Sequence, residues 1–205
     1  MTRVLSALVL IPAVLAVVWL LPPIATWSFV IVVGIRGYAE FMALVRPWPA
    51  RVAGVVYVAL PLYLIACTRQ VWGPGVLMIL LGVIVGSDSA QYYTGRAFGK
   101  RLLAPTISPK KTRAGAVGGL VASLAVAIGL GLVWLPHVSP ALMGLAGVLM
   151  GVSGMAGDMF ESSLRRRAGV KDSGTLIPGH GGVLDRIDSW LFAAPVFFFF
   201  LWLAA

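Results

Sequence analysis

The stretch Ala114–Leu135, AGAVGGLVASLAVAIGLGLVWL, carries no charged residue from end to end. A helix crossing the hydrocarbon core needs about 20 apolar residues, so this segment reads as a membrane span. Working outward, similar runs fall at approximately 4–21, 24–45, 52–68, 71–95, 138–160 and 186–205. The breaks between them are Pro22-Pro23, Arg46-Pro47-Trp48-Pro49, Arg69-Gln70, the polar stretch 96–113, Pro136-His137 and the polar stretch 161–185. The 205 residues are 60% apolar and 11% charged, with a mean hydropathy of +0.95. Soluble domains carry about 45–50% apolar and about 25% charged residues. Disorder, a disulfide scaffold and a water-soluble enzyme are therefore excluded, and the single cysteine, Cys67, permits no internal disulfide. The expected fold is an all-α integral membrane protein of about seven hydrophobic segments, a single polytopic domain over 1–205. In it, 1–70 supply N-terminal segments and 71–205 a core with polar loops 96–113 and 161–185. The diproline leaves 4–45 readable as two spans or a re-entrant pair. The run to Leu21 lacks a small-x-small site, so no cleaved leader is expected.

The net charge of +9 would suggest nucleic acid in a soluble protein. Here the basic residues sit between apolar runs, and the positive-inside rule explains them without a nucleic-acid partner. Of sixteen Lys and Arg, only Arg69 falls on one side of a seven-span arrangement, and Arg36 lies within a span. All the others, Arg3 included, share the opposite side, which predicts a cytoplasmic N-terminus and an integral protein of the cytoplasmic membrane.

The seven acidic residues are Glu40, Asp88, Asp158, Glu161, Asp172, Asp185 and Asp188. Each lies in, or within a few turns of, that same face, although topology rules do not require it. Intramembrane ionisable groups usually face a cavity or a partner. Asp88, Asp158 and Asp188 lie near the ends of three different segments, so three helices can present carboxylates to one water-accessible pocket. Carboxylates without thiol or clustered imidazole suit a hard cation such as Mg²⁺. Pairing of each aspartate with an adjacent arginine is the plain alternative.

Two polar stretches carry the remaining chemistry. Ser108-Pro109-Lys110-Lys111-Thr112 precedes Gly115, Gly118 and Gly119 as a helix opens. Hydroxyls, ammonium groups and glycine-exposed amides at a helix N-terminus suit phosphate oxygens; a topogenic loop with packing glycines is the alternative. The second stretch runs Gly157-Asp158-Met159-Phe160-Glu161-Ser162-Ser163-Leu164-Arg165-Arg166, then Lys171-Asp172, then Pro178-Gly179-His180-Gly181-Gly182-Val183-Leu184-Asp185-Arg186-Ile187-Asp188-Ser189. Asp185 and Asp188, three apart, share a face if a helix begins there.

The run Ser162–Asp188 resembles the signature of the phosphatidate cytidylyltransferase, or CDP-diacylglycerol synthase, family. That signature is Ser, any residue, an apolar residue, two basic residues, four of any type and Lys-Asp. Pro-x-His-Gly-Gly follows, then an apolar residue, any residue, Asp-Arg, an apolar residue and Asp. Every element stands in order and at its spacing, while the resemblance elsewhere is looser. Arg165 replaces a lysine of the family pattern, and Arg113-Ala114 replaces the Trp-Glu that commonly follows Lys-Lys-Thr. The chain is also shorter than typical bacterial members, by one or two segments in its N-terminal half.

The resemblance implies transfer of a cytidylyl group from CTP to phosphatidate in phospholipid biosynthesis, giving CDP-diacylglycerol and pyrophosphate. It implies Asp158 and Asp185 as principal Mg²⁺ ligands with Asp188 supporting, and a second cation such as K⁺. Phosphate oxygens would meet Ser108, Lys110, Lys111, Ser162, Arg165, Arg166, Lys171 and Arg186, with Asp88 lining the nucleotide site. The expected catalytic set is Lys171, Asp172, His180, Arg186 and Asp188, with His180 able to bind phosphate or take a phosphatidate proton. Arg167, outside the signature, would face anionic headgroups. CTP, phosphatidate and membrane lipids are the expected partners, and the resemblance leaves room for a homodimer. The alternatives are a related CTP-dependent membrane lipid enzyme (a CDP-archaeol synthase or polyprenol kinase), a lipid or ion transporter, and a non-catalytic scaffold. The one-sided acidic residues and the lack of an inverted repeat weigh against transport.

Overall fold

The computed structural model describes residues 12–176 and 181–204. Five of its helices are long and apolar enough to cross a membrane: α1 (Pro23–Leu44), α2 (Trp48–Phe98), α3 (Arg113–Trp134), α4 (Pro140–Arg167) and α5 (Leu184–Ala204). A π-helical turn, Ala16–Leu20, precedes α1. Leu20, Ile24, Val32, Ile35, Val121, Val133 and Trp202 are exposed on the outer faces. So much apolar surface is stable only against lipid.

The 51-residue α2 is two antiparallel passes. At Gly73 the backbone takes φ 88° and ψ 177°, a conformation that costs glycine little, and Pro74 then denies the next turn a donor. Contacts along the two halves give their directions. Residues 48–72 run beside α1, with Trp27 Nε1 donating to Gln70 Oε1 (2.7 Å) at one end and Tyr38 Oη donating to the Arg51 carbonyl (3.1 Å) at the other. Residues 74–98 run beside α3, from Gly75 against Trp134 to Gly95 against Gly115. Trp72 meets Phe198 (ring centroids 5.4 Å) at the level where 48–72 ends, while Gly154 packs on Ile84 and Ser189 towards the opposite level. The chain therefore turns back at Gly73.

That corrects the expected break at Arg69-Gln70. Arg69 lies inside the helix, buried, with Nε donating to the Val18 carbonyl (2.7 Å) and Nη2 to that of Leu21 (3.4 Å). A cation on the open carbonyls at the C-terminal end of a helical segment satisfies acceptors that lipid cannot. The expected segments 52–68 and 71–95 are thus one hairpin, and most of segment 4–21, with Arg3, lies outside the described residues. The chain is also not wholly helical. Leu102–Ala104 (β1) and Ser108–Thr112 (β2) pair antiparallel, with Leu102 opposite Thr112 and Ala104 opposite Ser108.

The core between the passes is built by Leu77, Ile79, Leu80, Ile84, Met143, Met150, Leu191 and Phe197, all nearly inaccessible. It brings the ends 88–98, 158–167 and 184–188 together beside the β-hairpin, so the described parts of the signature and of the basic connections occupy one end of the bundle.

Candidate active site

At that end, two groups of carboxylates sit side by side with different surroundings. In the first, Asp88 from α2, Asp158 from α4 and Asp188 from α5 lie close enough to feel one another's charge. The approach of α4 to α5 depends on Gly157, because a Cβ there would collide with the Asp188 carbonyl oxygen. Asp158 Oδ2 forms an ion pair with Lys111 Nζ at 2.5 Å, and Asp158 Oδ1 accepts from Ser162 Oγ at 3.2 Å. Asp88 accepts from Gln91 Nε2 at 3.2 Å, and Asp188, 8% exposed, accepts from the Ser189 amide at 2.7 Å. Arg186 adds positive charge near Asp88.

The second group is closed. Asp185 Oδ1 pairs with Arg165 Nη1 at 2.5 Å, while Oδ2 accepts from the amides of Ser173 (3.0 Å) and Gly182 (2.8 Å). A carboxylate offers about four acceptor sites, so most of its capacity is already used. Gly181 makes this possible, with φ 83° and no Cβ to strike Asp185 Oδ2. Glu40 on α1 does the same job next door. Its carboxylate accepts from Ser173 Oγ (3.0 Å), the Val183 amide (3.1 Å) and the Leu184 amide (2.8 Å). It thus ties up free donors at the start of α5 across more than 140 positions of sequence.

The two groups are linked along α4. Arg165 Nη2 donates to Ser162 Oγ (3.0 Å) and lies 2.6 Å from Glu161 Oε2, while Ser162 donates to Asp158. Glu161 is fully buried and sits near both Asp185 and Asp188. Asp158, Ser162, Arg165 and Asp185 form one connected line.

The β-hairpin delivers the remaining cations. Thr112 caps α3 by accepting from the Gly115 amide at 3.0 Å, and Arg166 Nε donates to the Ile107 carbonyl at 3.5 Å. The hairpin turns Lys111 inward and leaves Lys110 exposed. The expected phosphate cradle at the helix N-terminus is corrected in one respect: Thr112 already holds the Gly115 amide. Gly118 and Gly119 serve packing, since a Cβ on either would strike Thr94 or Gln91.

Of the residues expected from sequence, Asp88, Lys111, Asp158, Ser162, Arg165, Asp185 and Asp188 are brought together, with Arg186 near Asp88. Ser108 lies at the start of β2 and Arg166 on the hairpin side of α4. Lys171 and Asp172 are exposed on the loop after α4. His180 lies outside the described residues. Glu40 had no place in the expected site: nothing in the sequence near it points to residues 173–184. Among the described residues, no group of three or more His, Cys, Asp and Glu is disposed to hold a metal ion.

Residues 48–204 match the cytidylyltransferase family. The chain is 44% identical over 119 residues to the phosphatidate cytidylyltransferase of Bacillus subtilis, covering 58% of this chain and 44% of that protein. It is 40% identical over 159 residues to that of Brucella suis, covering 76% of this chain and 57% of that protein. It is 44% identical over 136 residues to the uncharacterized protein YnbB of Escherichia coli, covering 65% and 45%. The chain spans about half the length of the curated relatives it matches. It belongs to the cytidylyltransferase family.

Proposed function

We infer that this family member transfers a cytidylyl group from CTP to phosphatidate, giving CDP-diacylglycerol and pyrophosphate. The observation that carries the reading is the cluster of Asp88, Asp158 and Asp188 from three helices, with Lys111 as its paired cation, beside the Ser162–Arg165 line. Two relatives named for that activity, and the intact Ser162–Asp188 signature, support it.

In the reaction a phosphatidate oxygen forms a bond to the α-phosphorus of CTP as the bond to the bridging oxygen breaks, and pyrophosphate leaves with that oxygen. Such a transfer needs alignment and charge stabilisation, with no demand for a protein nucleophile. The carboxylate oxygens suit a hard cation, and Mg²⁺ commonly takes only one or two protein carboxylates and completes its shell with water and substrate phosphate. Asp158 and Asp188 would hold it, with Asp88 as a nearby negative charge, and a second cation such as K⁺ could share the excess negative charge. When bound, Mg²⁺ neutralises the triphosphate and charge developing on pyrophosphate. Asp185 is assigned to positioning, because its oxygens already hold Arg165, Ser173 and Gly182.

Lys111, freed from Asp158 by the incoming phosphates, would bind them, with Lys110, Arg166, Lys171 and Arg186 around the rim. Arg165 orients Ser162, whose hydroxyl can turn to a phosphate oxygen. His180 would take a proton from phosphatidate where its phosphate still carries one. The basic connections share the site's end of the bundle, which supports a site facing the cytoplasm.

The test is purified full chain with labelled CTP, phosphatidate and Mg²⁺. A lipid-soluble cytidine product equimolar with pyrophosphate is expected. Binding of CTP without lipid product, or transfer of only the γ-phosphate to a lipid alcohol, would overturn the assignment.

A further inference from the structure

On the other side of α4 lies a cleft of about 690 Å³, a volume within the range of small-ligand sites. Its apolar wall includes Phe41, Leu44, Ala50, Tyr57, Phe160 and Leu164, and Arg46 and Arg167 line it as well. At about 100° per residue, Phe160, Leu164 and Arg167 fall on one face of α4. Asp158, Ser162 and Arg165 fall on the opposite face, so the body of the helix stands between the cleft and those three residues.

Three observations identify the occupant. Arg46 and Arg167 are exposed and make no hydrogen bond or ion pair among the described residues, unlike Arg165, Arg166, Arg51 and Arg69. The Tyr57 hydroxyl, on the cleft wall, is shielded from solvent and has no hydrogen-bond partner. Trp48 beside Pro47 is 73% exposed, and tryptophan is the residue type enriched at the headgroup layer. Two unpaired guanidinium groups above an apolar wall match a phosphate diester above acyl chains, since guanidinium binds phosphate bidentately.

We propose that the Arg46–Arg167 cleft is a binding site for an intact anionic glycerophospholipid, separate from the carboxylate cluster. Its phosphate rests on the two arginines, an ester carbonyl accepts from the Tyr57 hydroxyl, and an acyl chain lies against Phe160 and Leu164. The lipid is resident, bound in addition to whatever the carboxylate cluster turns over, so the inference stands independently of the activity proposed above.

Full-length protein is purified in mild detergent, offered equimolar phosphatidylglycerol and phosphatidylcholine, and examined by native mass spectrometry. The wild type should retain phosphatidylglycerol in preference to phosphatidylcholine. Arg46→Gln with Arg167→Gln should reduce that preference at least about tenfold, and the double Lys variant should restore part of it. Lys111→Met, on the carboxylate side of α4, should leave it unchanged. The thermal unfolding midpoint in lipid-free detergent confirms that each variant is folded, and Ala53→Phe, which fills the cleft without changing charge, should displace the lipid as well. Undiminished preference in the double Gln variant would overturn the proposal. So would loss of preference in Lys111→Met alone, or a wild type that retains no lipid because a second copy of the chain covers the cleft.

Discussion

Asp185 and Asp158 are both aspartates near the same end of the bundle, and the line through Ser162 and Arg165 connects them. Asp185 is locked by a guanidinium and two backbone amides. Asp158 is held by one lysine and one serine, beside two further carboxylates that add repulsion. A saturated carboxylate shapes the chain around it, whereas an undersatisfied one has capacity left for a ligand. Partner count therefore distinguishes the well-satisfied carboxylates, Asp185 and Glu40, from Asp158, which residue type cannot do.

The strongest way to break this comparison is Asp185→Ala. It leaves two buried amides without their acceptor and takes from Arg165 one of its two carboxylate partners, Glu161 remaining, and each buried donor left unsatisfied costs about 1–3 kcal/mol. The unfolding midpoint in detergent should fall by several degrees and cytidylyl transfer should vanish with it. An Asp185→Ala protein of unchanged midpoint would show that the closed pocket does not support the fold.

Asp158→Asn should divide the two properties. Turnover is expected to drop at least ~100-fold, about 2.7 kcal/mol of transition-state stabilisation. The unfolding midpoint should stay close to wild type, because relief of repulsion from Asp88 and Asp188 offsets the lost pair with Lys111. Activity assayed at saturating Mg²⁺ alongside thermal unfolding checks both halves.

Glu40→Gln sharpens the scaffold side. The amide keeps one acceptor oxygen but loses the charge that holds Ser173, Val183 and Leu184, so a cost of about 1–3 kcal/mol is expected. Hydrogen exchange should accelerate at the Val183 and Leu184 amides and leave those of α3 unaltered. Equal exchange in both proteins would remove Glu40 from the positioning role.

These carboxylates also mark what the sequence could and could not disclose. Apolar run length alone located α1, α3, α4 and α5 to within a few residues, except for the polar last turns of α4, since a span must satisfy its own backbone. It misplaced the α2 turn because Arg69 and Gln70 look like a loop. Arg69 instead bonds to carbonyls 48 and 51 positions earlier, a contact that no local pattern records. The β-hairpin was hidden in the same way, its strands too short to show alternation. The convergence of Asp88, Asp158 and Asp188 was legible from their places near segment ends. The employment of Asp185 and Glu40 was not, because it depends on amides presented by a loop whose path is set in three dimensions.

The smallest expected effect comes from the hairpin. Lys110 and Lys111 are adjacent, but β2 alternates their faces, so Lys111 reaches Asp158 while Lys110 stays exposed. If the strand sets their roles, Lys111→Met should cost roughly 1.5–3 kcal/mol of substrate binding, one charge-assisted hydrogen bond, read as about a tenfold or greater rise in the KM for CTP. Lys110→Met should change KM only a few-fold, since a solvated lysine contributes mainly long-range attraction that salt screens. Raising ionic strength should therefore erase the Lys110 effect and preserve most of that of Lys111. Should the two variants behave alike at every salt concentration, the pairing of Lys111 with Asp158 would have no bearing on phosphate binding, and the hairpin's basic residues would act only as a diffuse positive surface.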